Sequence, residues 1–401
     1  MIQPHATPPR APRTPQPMVP ALLALAWGLM GGAVLSPDLT AQPTNSSPCP
    51  PLPDGVVHAE VRGIEPRVAT SAEPPALAQA QAPPRRQIVL MGGSSEVDAA
   101  SRRFVAGAGA GGTDAGDVLV VRASGSATSY NGYFQRMADA DAPLRSAGTL
   151  LIEDAAMSAH PAVLCRIAEA EALWLAGGNQ WNYLGHWAPA LQVAIGAVGR
   201  RGSIGGTSAG AAVLGEFAFD AGEGGVTSAE ALADPHGPRV RVVRSGMGQP
   251  ELARVVVDQH FRERDREGRL LVFLARMQAE LIAEAGAAPG GGLSGALGGG
   301  LGGGEAYGIG LDERAALVIE NGTFEVFAQD GRAVSFYRLS SPTPTSPGVP
   351  FSAPLIERVM LWDGARGAWP FNFDAYPRDA LAVEEGVVRV RTLFPHGPND
   401  P

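Results

Sequence analysis

The chain has 401 residues, 45% of them hydrophobic and 18% charged, with a net charge of −9. That apolar fraction excludes wholesale disorder, and the acidic balance argues against the broad basic face that nucleic-acid binding needs. Every one of the 31 basic residues is arginine. Two cysteines, neither in a CxxC pair, cannot build a disulfide framework and argue against a thiolate zinc site.

Arg10 and Arg13 precede an apolar run from Met18 to Leu35, and the small residue Ala41 offers a cleavage point. Residues 1–41 therefore read as an export signal, which places the mature protein in the periplasm or the medium. A retained membrane anchor is the rival reading. The run is broken by Pro20 and Gly31-Gly32 and is short for a span of about 20 residues, so membrane contact is expected only transiently, through the signal. Residues 42–85 are rich in Pro, Ala and Gln, and 18 of the 35 prolines precede residue 86, the composition of a linker.

From residue 86 the rhythm changes. Continuous apolar runs at Ile88–Met91, Val118–Val121, Leu150–Ile152, Leu173–Ala176 and Ser203–Gly205 alternate with turns or helical patterns such as His186–Val198. Unbroken rather than alternating apolar strands, with helices between, predict a parallel sheet covered on both faces. Ala315–Glu320 and Thr323–Ala328, joined by Asn321-Gly322, predict a hairpin. Residues 286–304, with 11 glycines, read as a flexible insertion, and residues 340–401, opening on a proline cluster, as a C-terminal extension.

The chemistry concentrates in Ile204-Gly205-Gly206-Thr207-Ser208-Ala209-Gly210, where a strand ends in G-x-S-x-G and small residues open a helix. This is the form of a nucleophile elbow: the strained turn lifts the Ser208 hydroxyl clear of the sheet, and the glycines let strand and helix approach. The Ala209 N–H would then face an oxyanion. A phosphate-binding glycine turn or plain tight packing is the alternative.

A serine nucleophile needs a base, and the base an orienting acid. His260 ends the apolar strand Arg254–Gln259, at the carboxyl end where open α/β sheets bind ligands. His160, His186 and His236 are the other internal histidines outside the linker. Arg264, Arg266 and Arg269 follow His260 among alternating acids, a pattern that also suits a solvated, salt-bridged face.

Gly206-Thr207-Ser208-Ala209-Gly210-Ala211-Ala212, Asp258-Gln259-His260-Phe261 and the three spaced arginines together resemble cyanophycinase, in the serine-peptidase family that includes peptidase E. Leu90-Met91-Gly92-Gly93, Leu175-Ala176-Gly177-Gly178-Asn179-Gln180 and Gly308-Ile309-Gly310-Leu311-Asp312-Glu313 are similar as well, so the likeness spans residues 86–339. The resemblance implies a three-layer, doubly wound, mostly parallel α/β sheet, flavodoxin-like and related to class I glutamine amidotransferases. It also implies a Ser–His–acid triad that cleaves β-aspartyl peptide bonds. Ser208 becomes the nucleophile and His260 the base, with oxyanion donors at Ala209 and Gly178. Gln180, Asp258, Gln259, Arg264, Arg266 and Arg269 fall around the substrate. Asp258 is expected to meet a guanidinium or amine on that substrate, and the arginines suit its free α-carboxylate.

The acid is expected between serine and histidine in chain order, at Glu230, with Glu223 as the second choice. Two departures bear on substrate preference: Asn179 stands where cyanophycinases carry Asp, and a lysine associated with the family's pocket has no counterpart. No metal or organic cofactor is expected, because no His/Asp/Glu cluster has ligand spacing. The expected partner is a peptide with a β-aspartyl linkage, and self-association as a homodimer is left open. An α/β-hydrolase esterase shares the elbow, but 52 residues from Ser208 to His260 leave little room for its intervening strands. A binding protein that keeps the pocket without turnover is the third reading.

Overall fold

The computed structural model describes residues 49–62, 86–109, 116–139, 142–287 and 306–393. The expected export signal, most of the linker and most of the glycine-rich stretch lie outside them. No helix among the described residues is long and apolar enough to cross a membrane. The chain is a mixed α/β protein with two sheets.

In chain order the strands are β1 (Val56–Arg62), β2 (Gln87–Met91), β3 (Gly116–Arg122), β4 (Leu144–Ile152), β5 (Ala172–Leu175), β6 (Ser203–Thr207), β7 (Phe217–Phe219), β8 (Val242–Arg244) and β9 (Val255–Gln259). Then come β10 (Tyr307–Leu311), β11 (Ala315–Glu320), β12 (Thr323–Ala328), β13 (Val334–Leu339), β14 (Ala353–Leu361), β15 (Arg366–Ala368), β16 (Asp379–Glu384) and β17 (Val387–Leu393). The helices are α1 (Asp98–Ala106), α2 (Asn131–Met137), α3 (Pro161–Glu169), α4 (Pro189–Arg201), α5 (Ala209–Ala212), α6 (Ser228–Ala233) and α7 (Glu267–Ala287).

The first sheet runs β1-β4-β3-β5-β6-β2-β11-β12-β15, and the five strands from β4 to β2 are parallel. Their unbroken apolar runs follow from burial on both faces. Ile88 and Leu90 enter one apolar cluster while Val89 and Met91 enter another, as alternate side chains of a strand must. Phe104 of α1 and Phe134 of α2 close on Trp174 at ring separations of 5.1 and 5.5 Å. Val163 of α3 and Ile195 of α4 belong to the cluster on the other face.

The second sheet runs β17-β16-β14-β13-β10-β9-β7-β8, with β9 parallel to both β10 and β7. A single sheet was expected from the sequence. β11 pairs antiparallel with β2 from Gln87 to Met91, and β9 lies in the second sheet. The two sheets share one core: Val255, Val257 and Ile309 lie in the same cluster as Leu317 and Ile319. Val256 faces the other way, into a cluster with Leu270 and Phe273 of α7. The expected hairpin is β11–β12, and both turn residues, Asn321 at φ 51° and Gly322 at φ 72°, take the left-handed backbone that such a tight turn requires.

Two regions differ from their sequence reading. The residues from 340 onward are not an appendage: β14, β16 and β17 extend the second sheet, and β15 pairs with β12 in the first. Trp369, Phe371 and Phe373 are buried between the sheets, with Phe371 stacked on Phe336 at 3.8 Å. Within the supposed linker, β1 pairs along β4 from Val56 to Arg62, and Cys49 is disulfide-bonded to Cys165 of α3. That bridge joins residues 116 apart in sequence, so its reduction is expected to lower unfolding free energy by about 2–4 kcal/mol. Urea denaturation with and without reductant measures this, and coincident curves would show a bridge without stabilising effect.

Candidate active site

The carboxyl ends of β6, β9 and β10 converge on one point. β6 ends at Thr207, and Ser208 follows with φ 53° and ψ −120°, a backbone conformation that costs a non-glycine residue about 1–3 kcal/mol. The close approach of helix to strand needs glycine, since a methyl group on Gly210 would overlap the Leu175 carbonyl oxygen. The hydroxyl of Ser208 lies 2.8 Å from His260 Nε2. His260 Nδ1 in turn lies 2.7 Å from Glu313 Oε1.

The β2 end joins these parts. Met91 and Gly92 carbonyls accept the backbone N–H groups of Ser208 and His260, at 3.0 and 2.9 Å. Gly93, at φ 101°, packs so closely that a methyl there would come within 2.7 Å of His260 Nε2 and 3.0 Å of Ser208 Cβ. β9 and β10 are adjacent and parallel, with Leu311 opposite Gln259, so the residues that follow each strand, His260 and Glu313, emerge side by side. Asp312 is consumed by the arginine at 262, whose guanidinium it holds at 2.5 Å, which leaves Glu313 for the histidine.

Burial is the main force on the His260 pKa and lowers it; the Glu313 hydrogen bond opposes that, while Arg264 and Arg266 add to it. The bond to His260 holds Glu313 below the usual carboxylate range. A neutral imidazole beside an ionised glutamate can therefore accept the serine proton at neutral pH.

Glu230, expected as the acid, does not meet His260. Glu230 is the third residue of α6, where its carboxylate accepts the Thr227 N–H at 2.9 Å and Thr227 Oγ1 accepts the Glu230 N–H, a reciprocal capping box. It also pairs with Arg239. The second choice, Glu223, is exposed and lies 3.6 Å from Arg241. Glu313, the carboxylate that does reach His260, follows the histidine in chain order and so lies outside the interval in which the acid is expected from the sequence, although it ends the Gly308–Glu313 run.

The remaining site residues separate into two groups. Asp258 and Arg269 are buried and satisfy each other with two hydrogen bonds, of 2.7 and 2.6 Å, so neither is free for substrate as the sequence had led one to expect. Arg269 also donates to the Val226 carbonyl and lies over the Phe219 and Phe273 rings. Arg266 is half-buried; it donates to the Gln259 carbonyl and side chain, and burial lowers its pKa to about 10, which leaves it cationic at neutral pH. Arg264 is exposed, makes no ion pair among the described residues, and its charge is felt at His260 and Glu313.

Gln180 is buried in the turn after β5, which also carries Gly178 at φ 152°. A methyl on its neighbour Gly177 would lie 3.4 Å from Ser208 Cβ, so this turn borders the serine. Ala209, buried at the start of α5, has a backbone N–H with no partner within the helix. Asn179 closes the turn locally, its side chain accepting the Trp181 N–H at 3.0 Å.

No family model matches the chain. It is 28% identical over 184 residues to a curated cyanophycinase of Geminocystis herdmanii, an alignment covering 42% of this chain and 53% of that protein. The chain thus spans about half the length of the curated relative it matches. A crystal structure of a peptidase from an acI-B1 Actinobacterium superposes on 72% of this chain and 99% of its own, with a TM-score of 0.45 and 14% identity. The likeness to a curated cyanophycinase bears out the cyanophycinase-like resemblance read from the sequence.

Proposed function

We propose that the protein is an exported serine-type exopeptidase that hydrolyses β-aspartyl peptide bonds. The observation that carries this reading is the hydrogen-bonded line from Ser208 through His260 to Glu313. Ser208 Oγ attacks the scissile carbonyl while His260 Nε2 takes its proton, and Glu313 holds the opposite ring nitrogen and stabilises the imidazolium. The N–H groups of Ala209 and Gly178 receive the oxyanion. Collapse expels the amine, protonated by His260, and leaves an acyl-enzyme that water hydrolyses with the same histidine as base. Arg264, with Arg266 behind it, supplies the positive charge for the free α-carboxylate that a β-linkage leaves beside the scissile bond.

We read the strand–Ser208–helix turn as a nucleophile elbow within a flavodoxin-like, three-layer arrangement. The run β4-β3-β5-β6 has the 2-1-3-4 order of that arrangement, with β2, which precedes β3 in the chain, in the next position. The Cys49–Cys165 bridge supports export, since disulfides persist in oxidising compartments.

The test is to incubate the protein with a β-aspartyl-arginine dipeptide, its α-linked isomer and a short-chain ester. Cleavage of the β-linked peptide, lost in Ser208→Ala, is expected. Ester cleavage alone would favour the esterase, and binding without turnover, unchanged in Ser208→Ala, a binding protein. Arg264→Ala is expected to raise KM for the β-linked peptide about tenfold or more. An unchanged KM would remove Arg264 from the carboxylate site.

A further inference from the structure

Beside the serine lies a buried carboxyl group that the mechanism above does not use. Glu96 sits three residues after Gly93, in the turn between β2 and α1. Its Oε1 accepts the Tyr130 hydroxyl at 2.7 Å. Its Oε2 is sealed from solvent. The hydroxyl of Thr207, the residue before Ser208, also hydrogen-bonds the carboxyl group.

The other buried acids at this end of the sheets are all matched by a base. Asp220 holds Arg241 at 2.9 Å, Asp258 holds Arg269 at 2.6 Å and Asp312 holds the arginine at 262 at 2.5 Å. Glu313, only partly buried, is bound to His260. Glu96 makes no ion pair among the described residues. Arg122, whose guanidinium lies 5.9 Å from the Tyr130 ring centre, is turned to the Ser124 and Ser126 carbonyls and the Ser129 hydroxyl. A buried, unpaired carboxylate is costly, and burial accordingly raises the Glu96 pKa to about 7. An incoming cation would remove that cost. A buried carboxyl group held by two hydroxyls and by no cation, next to a nucleophile, points to a positive group on the ligand.

We propose that Glu96 binds the free ammonium group of the peptide's acyl-donor residue, so that the site takes substrates with an unblocked amino terminus. This inference deepens the peptidase reading and rests on it. In a β-linked aspartyl residue the ammonium and the carboxylate share one carbon atom. A single carboxylate, Glu96, and a cation, Arg264, would therefore recognise both groups and fix the β-carbonyl at Ser208. A cationic side chain on the leaving side offers the same chemistry from another source.

The experiment measures binding by calorimetry at about pH 8, where Glu96 is ionised, using Ser208→Ala and Ser208→Ala/Glu96→Gln proteins. The ligands are β-aspartyl-arginine, its N-acetyl derivative and β-aspartyl-norleucine, with the α-linked isomers of all three. The Ser208→Ala protein is expected to bind the free amine about tenfold or more tighter than the acetylated peptide. Glu96→Gln should abolish that difference while leaving arginine against norleucine unchanged. Tyr130→Phe, which keeps the carboxylate, should retain the amine preference and controls for distortion of the turn.

An amine preference that survives Glu96→Gln, or is absent from the start, would overturn the inference. A loss confined to arginine over norleucine would overturn it by assigning Glu96 to the leaving side. Binding of α-linked peptides alone would sink the β-aspartyl reading while the amine comparison still decides the role of Glu96. Failure of every peptide to bind would overturn both.

Discussion

Replacing Glu313 with Gln is expected to lower kcat/KM on a β-aspartyl dipeptide by about a thousand- to ten-thousand-fold, while Glu230→Gln leaves it within about twofold. The geometry sets this contrast. Glu313 is 2.7 Å from His260 Nδ1, and an amide there cannot stabilise the imidazolium that forms when the serine proton is taken. Glu230 caps α6 and pairs with Arg239 at an exposed position, so its loss costs helix stability and little else.

The pH profile carries a second signature. The Glu313 hydrogen bond raises the His260 pKa against the stronger pull of burial. Removing it lets that pKa fall, so the imidazole stays neutral to lower pH, and the acid limb of the residual activity should move down. Equal activity losses in the two variants, or an acid limb that moves up in Glu313→Gln, would refute the assignment.

Arg269→Leu is expected to destabilise the protein by about 3–5 kcal/mol, because it removes both short hydrogen bonds to the Asp258 carboxylate and leaves that buried charge with Arg266, at 3.4 Å, as its remaining ion pair. Asp258 is 2% exposed and Arg269 3%, so water cannot replace the lost partner. The double variant Asp258→Leu/Arg269→Met should recover most of that loss, since an apolar pair of similar volume avoids the buried charge. Urea unfolding of the two variants measures the difference. A small effect from Arg269→Leu would mean that the arginine is not the ion-pair anchor its geometry describes. Activity should fall in both variants, since the pair braces the strand end that presents Gln259 and His260.

Much of the site was legible because its signals are local. The Ser208 turn is written in the glycines on either side of it, and the run from Arg254 to Gln259 ends in His260 as a strand should. The same local grammar would have excluded Glu230, for Thr227-Ser228-Ala229-Glu230 is a capping-box sequence that ties the glutamate to its own helix. The spacing of Arg264, Arg266 and Arg269 was visible too. Their unlike fates, exposed, half-buried and locked to Asp258, were not.

What the sequence by itself determined are the five apolar strand runs from Ile88 to Gly205, the Asn321-Gly322 hairpin and the turn that presents Ser208, because each depends on neighbouring residues. Only the tertiary structure decided the rest. Glu313 reaches His260 because β9 and β10 lie side by side in parallel, although α7 and the glycine-rich stretch separate them in the chain. Asp258 is spent on Arg269, eleven residues away, and Glu96 is left without a base. The chain after residue 340 adds β14, β16 and β17 to the second sheet and buries Trp369, Phe371 and Phe373 in the shared core, contacts made with strands far away in sequence. Which charges meet is a property of non-local strand adjacency and burial, and neither is encoded in the spacing of residues along the chain.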